Sequence, residues 1–223
     1  MNKVLRQIIE SKVVTSEDGT QYNLHSHLPI IECNILTGWV TNLKPKAILE
    51  IGLAYGVSAM TICDAISDWY GVSYDIIDCF QNDEWRSIGL LNMQKSGYIN
   101  QISFHEERSE IQLPQFLKEK RKFDLVFVDG THSFDHVFVE FFYINRLLNK
   151  GGVVVFDDVQ LKSIQKVLSF INCYGGYEKI NVPEIDQKTQ LKVRKMMDVP
   201  ESRIIGYKKV KSIYHKWDWF ADF

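Results

Sequence analysis

The sequence predicts an α/β fold built on a doubly wound, mostly parallel sheet. Three observations lead there. From Pro45 onward, short apolar runs alternate with amphipathic stretches five times. The first of those runs ends in a glycine-rich turn, Ile48-Leu-Glu-Ile-Gly-Leu-Ala-Tyr-Gly56. The composition, 45% hydrophobic and 24% charged over 223 residues, is that of a soluble globular chain. A chain of this length buries roughly 70% of its unfolded surface and needs no disulfide staples. Lys and Arg number 26 against 28 Asp and Glu, a net charge of -2, which argues against a protein that wraps nucleic acid by bulk charge.

Each element has its own signal. Residues 1–43 read as a helical or mixed cap, broken at Pro29 and Gly38, and residues 44–223 as the main domain. Ala47–Ile51 is a buried-strand run, and Ser58–Tyr70 carries Ala59, Ile62, Cys63, Ile66 and Trp69 at helical spacing. Val72–Asp78 is a second strand, Glu84–Ser96 a helix, Ile102–His105 a short strand and Glu110–Lys120 a helix. Phe123–Asp129 is strongly strand-like; Phe134, Val137, Phe138, Phe141, Phe142 and Leu148 then follow a helical stripe. Lys150-Gly151-Gly152 reads as a helix stop, Val153–Asp157 as a fifth strand and Leu161–Ile171 as a fifth helix. Tyr177–Val182 and Arg203–Val210 are late strand runs joined by a polar stretch, 183–202. Right-handed helical crossovers between such strands give an open sheet covered on both faces.

Cys33, Cys63, Cys79 and Cys173 form no C-x-x-C pair, so neither a zinc ribbon nor a dithiol motif is present. Two of them lie in apolar stretches as small core residues. A reducing, cytoplasmic location is expected, because the N-terminal stretch lacks an apolar core of signal-peptide length and no run approaches 18 apolar residues.

Glu50, Gly52, Gly56 and Ser58 form E-x-G-x-x-x-G-x-S between a strand and a helix. Glycines let backbone approach a ligand, and a helix start offers free N–H groups to an anion. A tight turn with glycine used for packing is the other reading. The dinucleotide fingerprint G-x-G-x-x-G is not met, because position 54 is Ala. Asp78 closes the second strand, where an acid accepts hydrogen bonds from both ribose hydroxyls of a nucleoside or serves as a turn residue.

Asp129 ends the fourth strand, and Asp157 and Asp158 end the fifth. Neighbouring strands lie about 4.8 Å apart. Three carboxylates there repel one another unless protonated or neutralised, and a hard divalent cation such as Mg2+ is the simplest neutraliser. A turn pair at Asp157-Asp158 that caps the next helix is the alternative. His132, in D-G-T-H, has an unperturbed pKa near neutrality that suits a general base, or it caps the helix that follows.

These motifs resemble the class I S-adenosylmethionine-dependent methyltransferases. E-x-G-x-x-x-G-x-S is similar to the first motif of the catechol and caffeoyl-CoA O-methyltransferase branch. IIDCFQNDEW, DLVFVDGTHSFDHV and LLNKGGVVVFDDV resemble a bacterial branch that includes macrolide-sugar O-methyltransferases. The resemblance covers roughly residues 45 to 175. It implies a seven-stranded sheet with the last strand antiparallel. It also implies Glu50 and Gly52 near the methionine part of S-adenosylmethionine, Ser58 on its carboxylate, Asp78 on its ribose and Ser109 on its adenine. Asp129, Asp157 and Asp158 match the metal ligands of the cation-dependent members, and His132 matches the base of the sugar enzymes. The catechol enzymes carry Asp-Asn where this chain has Asp-Asp.

His132 and His136 are four apart, as in a zinc pair on a helix, but HSFDH lacks the glutamate of H-E-x-x-H. No G-x-x-x-x-G-K-[ST] loop and no G-x-S-x-G elbow is present. V-D-G-T-H stands where the nucleic-acid amino-methyltransferases carry N-P-P-Y. The expected activity is methyl transfer to a hydroxyl of a small molecule such as a sugar, polyol or catechol. The alternatives are a metal-independent N- or C-methyltransferase and a cofactor-binding module without catalysis. Residues 1–43, the stretch 183–202, Trp217 and Trp219 are expected to build the acceptor pocket, and His25 and His27 to be surface or lid residues. The aromatic end WDWFADF suits a packing element, a homodimer contact or a pocket wall.

Overall fold

The computed structural model describes residues 1–183 and 202–223. The chain runs through α1 (Lys3–Ser11), β1 (Val13–Thr15), β2 (Gln21–Asn23), α2 (Ile30–Leu43), β3 (Ala47–Ile51), α3 (Val57–Ile66), β4 (Ser73–Ile77), α4 (Ile88–Lys95), β5 (Ser103–His105), α5 (Ser109–Lys118), β6 (Phe123–Val128), α6 (Phe134–Leu147), β7 (Leu148–Phe156), α7 (Lys162–Tyr174), β8 (Tyr177–Lys179) and β9 (Ile205–Lys209). The main sheet has seven strands in the order β5-β4-β3-β6-β7-β9-β8. β5, β4, β3, β6 and β7 are mutually parallel, and β9 runs antiparallel to both of its neighbours. β1 and β2 form a separate antiparallel hairpin.

The period of two along each strand divides the core into two layers. Ile48, Leu125, Phe127, Val153 and Val155 join the side chains of α1 to α4 on one face. Leu49, Val126, Val128, Val154 and Phe156 join those of α5, α6 and α7 on the other. Central strands buried on both faces explain why these runs are continuously apolar.

Three sequence boundaries are corrected. Gly38 lies inside α2 and does not break it. A glycine costs about 1 kcal/mol in a helix, less than is gained by burying Ile35, Leu36, Trp39 and Val40 beside it. Lys150-Gly151-Gly152 belongs to β7, which starts at Leu148; the β6 register shifts between Phe123 and Leu125 to accommodate the extra residues. The helix predicted to reach Tyr70 stops at Ile66.

α2 ties the two ends of the chain together. Trp39 Nε1 donates to Asn181 O at 2.9 Å. The buried Glu32 accepts from Ser202 Oγ at 2.8 Å and from Arg203 N at 3.2 Å, so a carboxylate of the N-terminal segment sets where the residues before β9 lie.

The glycine turn is held between two other loops. Gly52 has φ +95°, and a Cβ there would come within 2.1 Å of Asp129 O. On the other side, a Cβ on Gly89 of α4 would meet Ala54 O at 2.2 Å. Gly52→Ala and Gly89→Ala are each expected to destabilise the fold by about 3 kcal/mol or more, since backbone must move in both cases. Urea unfolding of the two variants checks this; a loss under about 1 kcal/mol would show the turn to be slack.

Candidate active site

All the strand ends that carry predicted site residues open on one side of the sheet, where a cleft of about 380 Å³ lies over β4, β3 and β6. Gly52, Asp78, Ser109 and Asp129 line it, together with Ala54, Trp85, Thr131, His136 and Glu140. Six carboxylates (Asp78, Glu84, Glu107, Glu110, Asp129 and Glu140) and one guanidinium (Arg108) face the cleft among the described residues. That field favours a cationic ligand or hydrogen-bond donors and disfavours a pyrophosphate.

Asp78 is the keystone of the glycine turn. Its Oδ2 accepts from Leu53 N at 2.9 Å, Ala54 N at 3.0 Å and Gln81 Nε2 at 3.0 Å; its Oδ1 accepts from Phe80 N at 2.8 Å. These bonds hold Ala54 in the left-handed conformation, φ +46°. Gln81 Nε2 also donates to Ala54 O at 2.8 Å.

Glu50, Gly56 and Ser58 lie behind the turn and are absent from the cleft wall. Glu50 is fully buried and accepts short hydrogen bonds from Ser58 and Tyr74. Burial pushes its carboxyl up to about 8, against the lowering effect of those two donors. Gly56, at φ +81°, packs on the α4 backbone, where a Cβ would lie 3.3 Å from Gly89 O. Ser109 opens α5 and donates to Glu140 Oε1 of α6 at 2.7 Å.

β6 and β7 bring the three predicted metal ligands to adjacent strand ends. Their side chains part company. One oxygen each of Asp129 and Asp158 and one ring nitrogen of His132 lie within 4.8 Å of one another. His132 Nδ1 is 3.0 Å from Asp158 Oδ2, and Nε2 is 3.3 Å from Asp129 Oδ1. Asp157 stands outside that trio: its Oδ2 is 3.3 Å from Arg203 Nη2, and its Oδ1 is buried without a hydrogen-bond partner. Arg203 also pairs with Asp158. Asp158 is a non-glycine residue at φ +52°, a conformation that L side chains adopt only when their surroundings enforce it.

The electrostatics follow from crowding. Burial first, then the charge of Asp129, pushes Asp157 up to about 9 in spite of Arg203. Burial also raises Asp129. His132 is pulled down by burial, but the nearby carboxylates of Asp129 and Asp158 outweigh it and hold the imidazole above its ordinary value. The capping alternatives are set aside by geometry. No side-chain cap bond closes the start of α6 or of α7, and the side chains of His132, Asp157 and Asp158 turn toward one another and Arg203. His136 takes Ser133 Oγ at 2.8 Å and stands outside the cluster, so it forms no zinc pair with His132.

A family model for a methyltransferase domain matches residues 49–159, the segment that builds this cleft. Residues 49–159 thus form a methyltransferase domain. No curated protein matches it. Among solved structures the methyltransferase is similar to an O-methyltransferase from Bacillus cereus in complex with SAH, at 15% identity and TM-score 0.65, with 81% of this chain and 83% of that chain covered. It is also similar to the O-methyltransferase TomG from Streptomyces achromogenes, involved in tomaymycin synthesis and in complex with SAM (17% identity, TM-score 0.65, 81% and 82% covered). The SAH-bound methyltransferase PaMTH1 from Podospora anserina matches over 94% of this chain and 88% of that one, at 15% identity and TM-score 0.68. These likenesses show the shared fold.

Several residues of the methyltransferase site carried no sequence signal. Arg203 and Glu32 come from the two ends of the chain, and Glu140 sits inside an aromatic helical stripe. His25 is more than a surface residue: its Nε2 is 2.8 Å from Tyr55 Oη, and its ring packs on Trp85, so the N-terminal segment rests on the glycine turn. Burial, then Lys12 and Arg203, pushes His27 down to about 4. The expected role of Trp217 and Trp219 is corrected. Trp219 stacks on His215 at 3.7 Å and packs on Tyr174 and Phe170 of α7, while Trp217 is 98% exposed; neither lines the cleft. Residues 184–201, the bulk of the stretch assigned to the acceptor pocket, lie outside the described residues.

Glu50 makes the fold sensitive to alkali. A carboxyl raised in the folded state contributes stability that is complete below its unfolded value near 4.5 and is lost as pH rises through about 8. Glu50→Gln is expected to remove that loss. Urea unfolding at pH 5, 6.5 and 8 reads it as a shallower decline in the variant; parallel declines would show that Glu50 does not titrate in this window.

Proposed function

We propose that the chain transfers the methyl group of S-adenosylmethionine to a hydroxyl oxygen of a small molecule, with a divalent cation at the carboxylate end of the cleft. The observation that carries this reading is the convergence of Asp129, His132 and Asp158 at neighbouring strand ends beside an acidic cleft. The cleft suits a sulfonium nucleoside: it is electronegative, and the backbone at Gly52 lines it without a side chain. SAM and SAH are the ligands named for the solved O-methyltransferases that share the fold.

The donor set fits a hard cation. It is rich in carboxylate oxygen, and Asp157 Oδ1 and His132 Nε2 are buried polar atoms without hydrogen-bond partners. Asp129 and Asp158 would hold the ion, with Asp157 behind them. When bound, it supplies a positive charge that lowers the pKa of an acceptor hydroxyl. S-adenosylmethionine supplies the electrophilic methyl. The chain's own residues do the rest. The cleft wall from Gly52 to Asp78 fixes the donor, so nucleophile, methyl carbon and sulfur are held in line. His132 takes the hydroxyl proton, and Asp129 and Asp158 stabilise the imidazolium that results.

A second reading has an observation of its own. Arg203 already sits between Asp157 and Asp158, and with His132 it offsets much of the negative charge. Methyl transfer that survives a chelator would select this metal-free version.

Calorimetry is expected to detect S-adenosylhomocysteine at micromolar protein, and the absence of heat would sink the donor assignment. Asp129→Ala and Asp158→Ala should abolish cation-dependent transfer while leaving that binding in place. Normal turnover in both would remove the cation's role. His132→Ala should lower the rate about 10²-fold if it is the base, and a loss below about threefold would deny it that role.

A further inference from the structure

Glu140 is a buried acid that neither the fold nor the proposed chemistry accounts for. It lies on α6, is 1% exposed, and forms part of the cleft wall where α5 and α6 meet. Oε1 accepts from Ser109 Oγ at 2.7 Å, and Oε2 has no hydrogen-bond partner. No Lys or Arg of the described residues forms an ion pair with it. A buried acceptor left unsatisfied costs about 1–3 kcal/mol, more when charged. Such a penalty inside a ligand cleft is relieved by a ligand that brings a donor.

The position says which donor. Transfer takes place at the β6 and β7 ends, beside Asp129 and Asp158, so the sulfonium of the bound molecule must lie there. The remainder of the molecule then extends along the wall formed by Asp78, Ser109 and Glu140. A nucleoside placed so presents the edge of its base to the α5–α6 junction.

We propose that Glu140, oriented by Ser109, is the specificity residue for the base of the donor, accepting a hydrogen bond from the exocyclic amine of a 6-aminopurine. The assignment rests on the S-adenosylmethionine reading above. A 6-oxo purine places a carbonyl oxygen where the amine would stand, and two acceptors then face each other across a buried contact. Ser109 fixes the carboxyl plane, and Gly130, whose Cβ would lie 3.8 Å from Glu140 Oε1, leaves room beside it. Burial holds Glu140 up at about 7, against the lowering effect of the Ser109 hydrogen bond and the His132 charge.

The test titrates S-adenosylhomocysteine and S-inosylhomocysteine into the full chain by calorimetry, with thermal melts to monitor folding. The wild type is expected to prefer the adenosyl compound by about 10-fold or more. Glu140→Ala should bring the two affinities to within about threefold, through loss of adenosyl binding. Glu140→Gln keeps the shape and can turn its amide N–H toward a carbonyl, so it should bind the inosyl compound more tightly than the wild type does, a gain that a merely structural role would not produce. Equal binding of both compounds by the wild type overturns the proposal, as does a preference that persists in Glu140→Gln. A wild type that binds neither compound brings down the donor reading and this assignment together. A wild type that binds S-adenosylhomocysteine without discrimination defeats this assignment alone.

Discussion

The Asp78 carboxylate is the constraint on which the cleft depends. Four donors converge on it, two of them backbone N–H groups of the turn after β3. A turn that must pass between the Asp129 carbonyl and α4 has little freedom, and Asp78 removes most of what is left. The same residue faces the cleft. One side chain therefore both lines the cleft and shapes the backbone around it. Glu50 and Ser58 play the inner part of this scheme, joined to each other and to Tyr74 beneath the turn.

The other end of the cleft is governed by crowded charge. Asp129, Asp157 and Asp158 are forced together by the pairing of β6 and β7, and the chain answers with Arg203 and His132. Arg203 is placed in turn by Glu32, a buried acid of α2 that holds its backbone N–H. The N-terminal segment thus touches the site in two places, at Arg203 and, beside the glycine turn, through His25 on Tyr55.

The doubly wound sheet was legible in the sequence because buried parallel strands leave continuous apolar runs, and because the helices between them keep a clear period. Element ends were less so. Gly38 reads as a break, yet tertiary burial holds it in α2, and the glycines before Val153 turned out to be strand. For the site, residues at strand ends announce themselves by their place after an apolar run: Asp78, Asp129 and Asp158 all do. Which way a side chain points is not written there. Asp157 and Asp158 are adjacent in the chain and share Arg203, yet only Asp158 also pairs with His132, and Ser58 turns to Glu50 rather than to the cleft. Arg203, Glu32 and Glu140 gain meaning only from contacts across 170, 171 or 31 positions, which no local pattern reports.

The antiparallel insertion of β9 between β7 and β8 carries a temporal consequence. A ribosome that has released everything through α7 has already delivered every strand that borders the cleft. The guanidinium that quiets the aspartates, and the strand that seals the β7 edge, are still inside the exit tunnel. At that stage Asp157 and Asp158 lack the guanidinium that pairs with both in the finished fold, and His132 is the cation beside Asp158. Until its closing strand emerges, the β7 border carries unpaired backbone groups, the kind of edge that other chains can pair with.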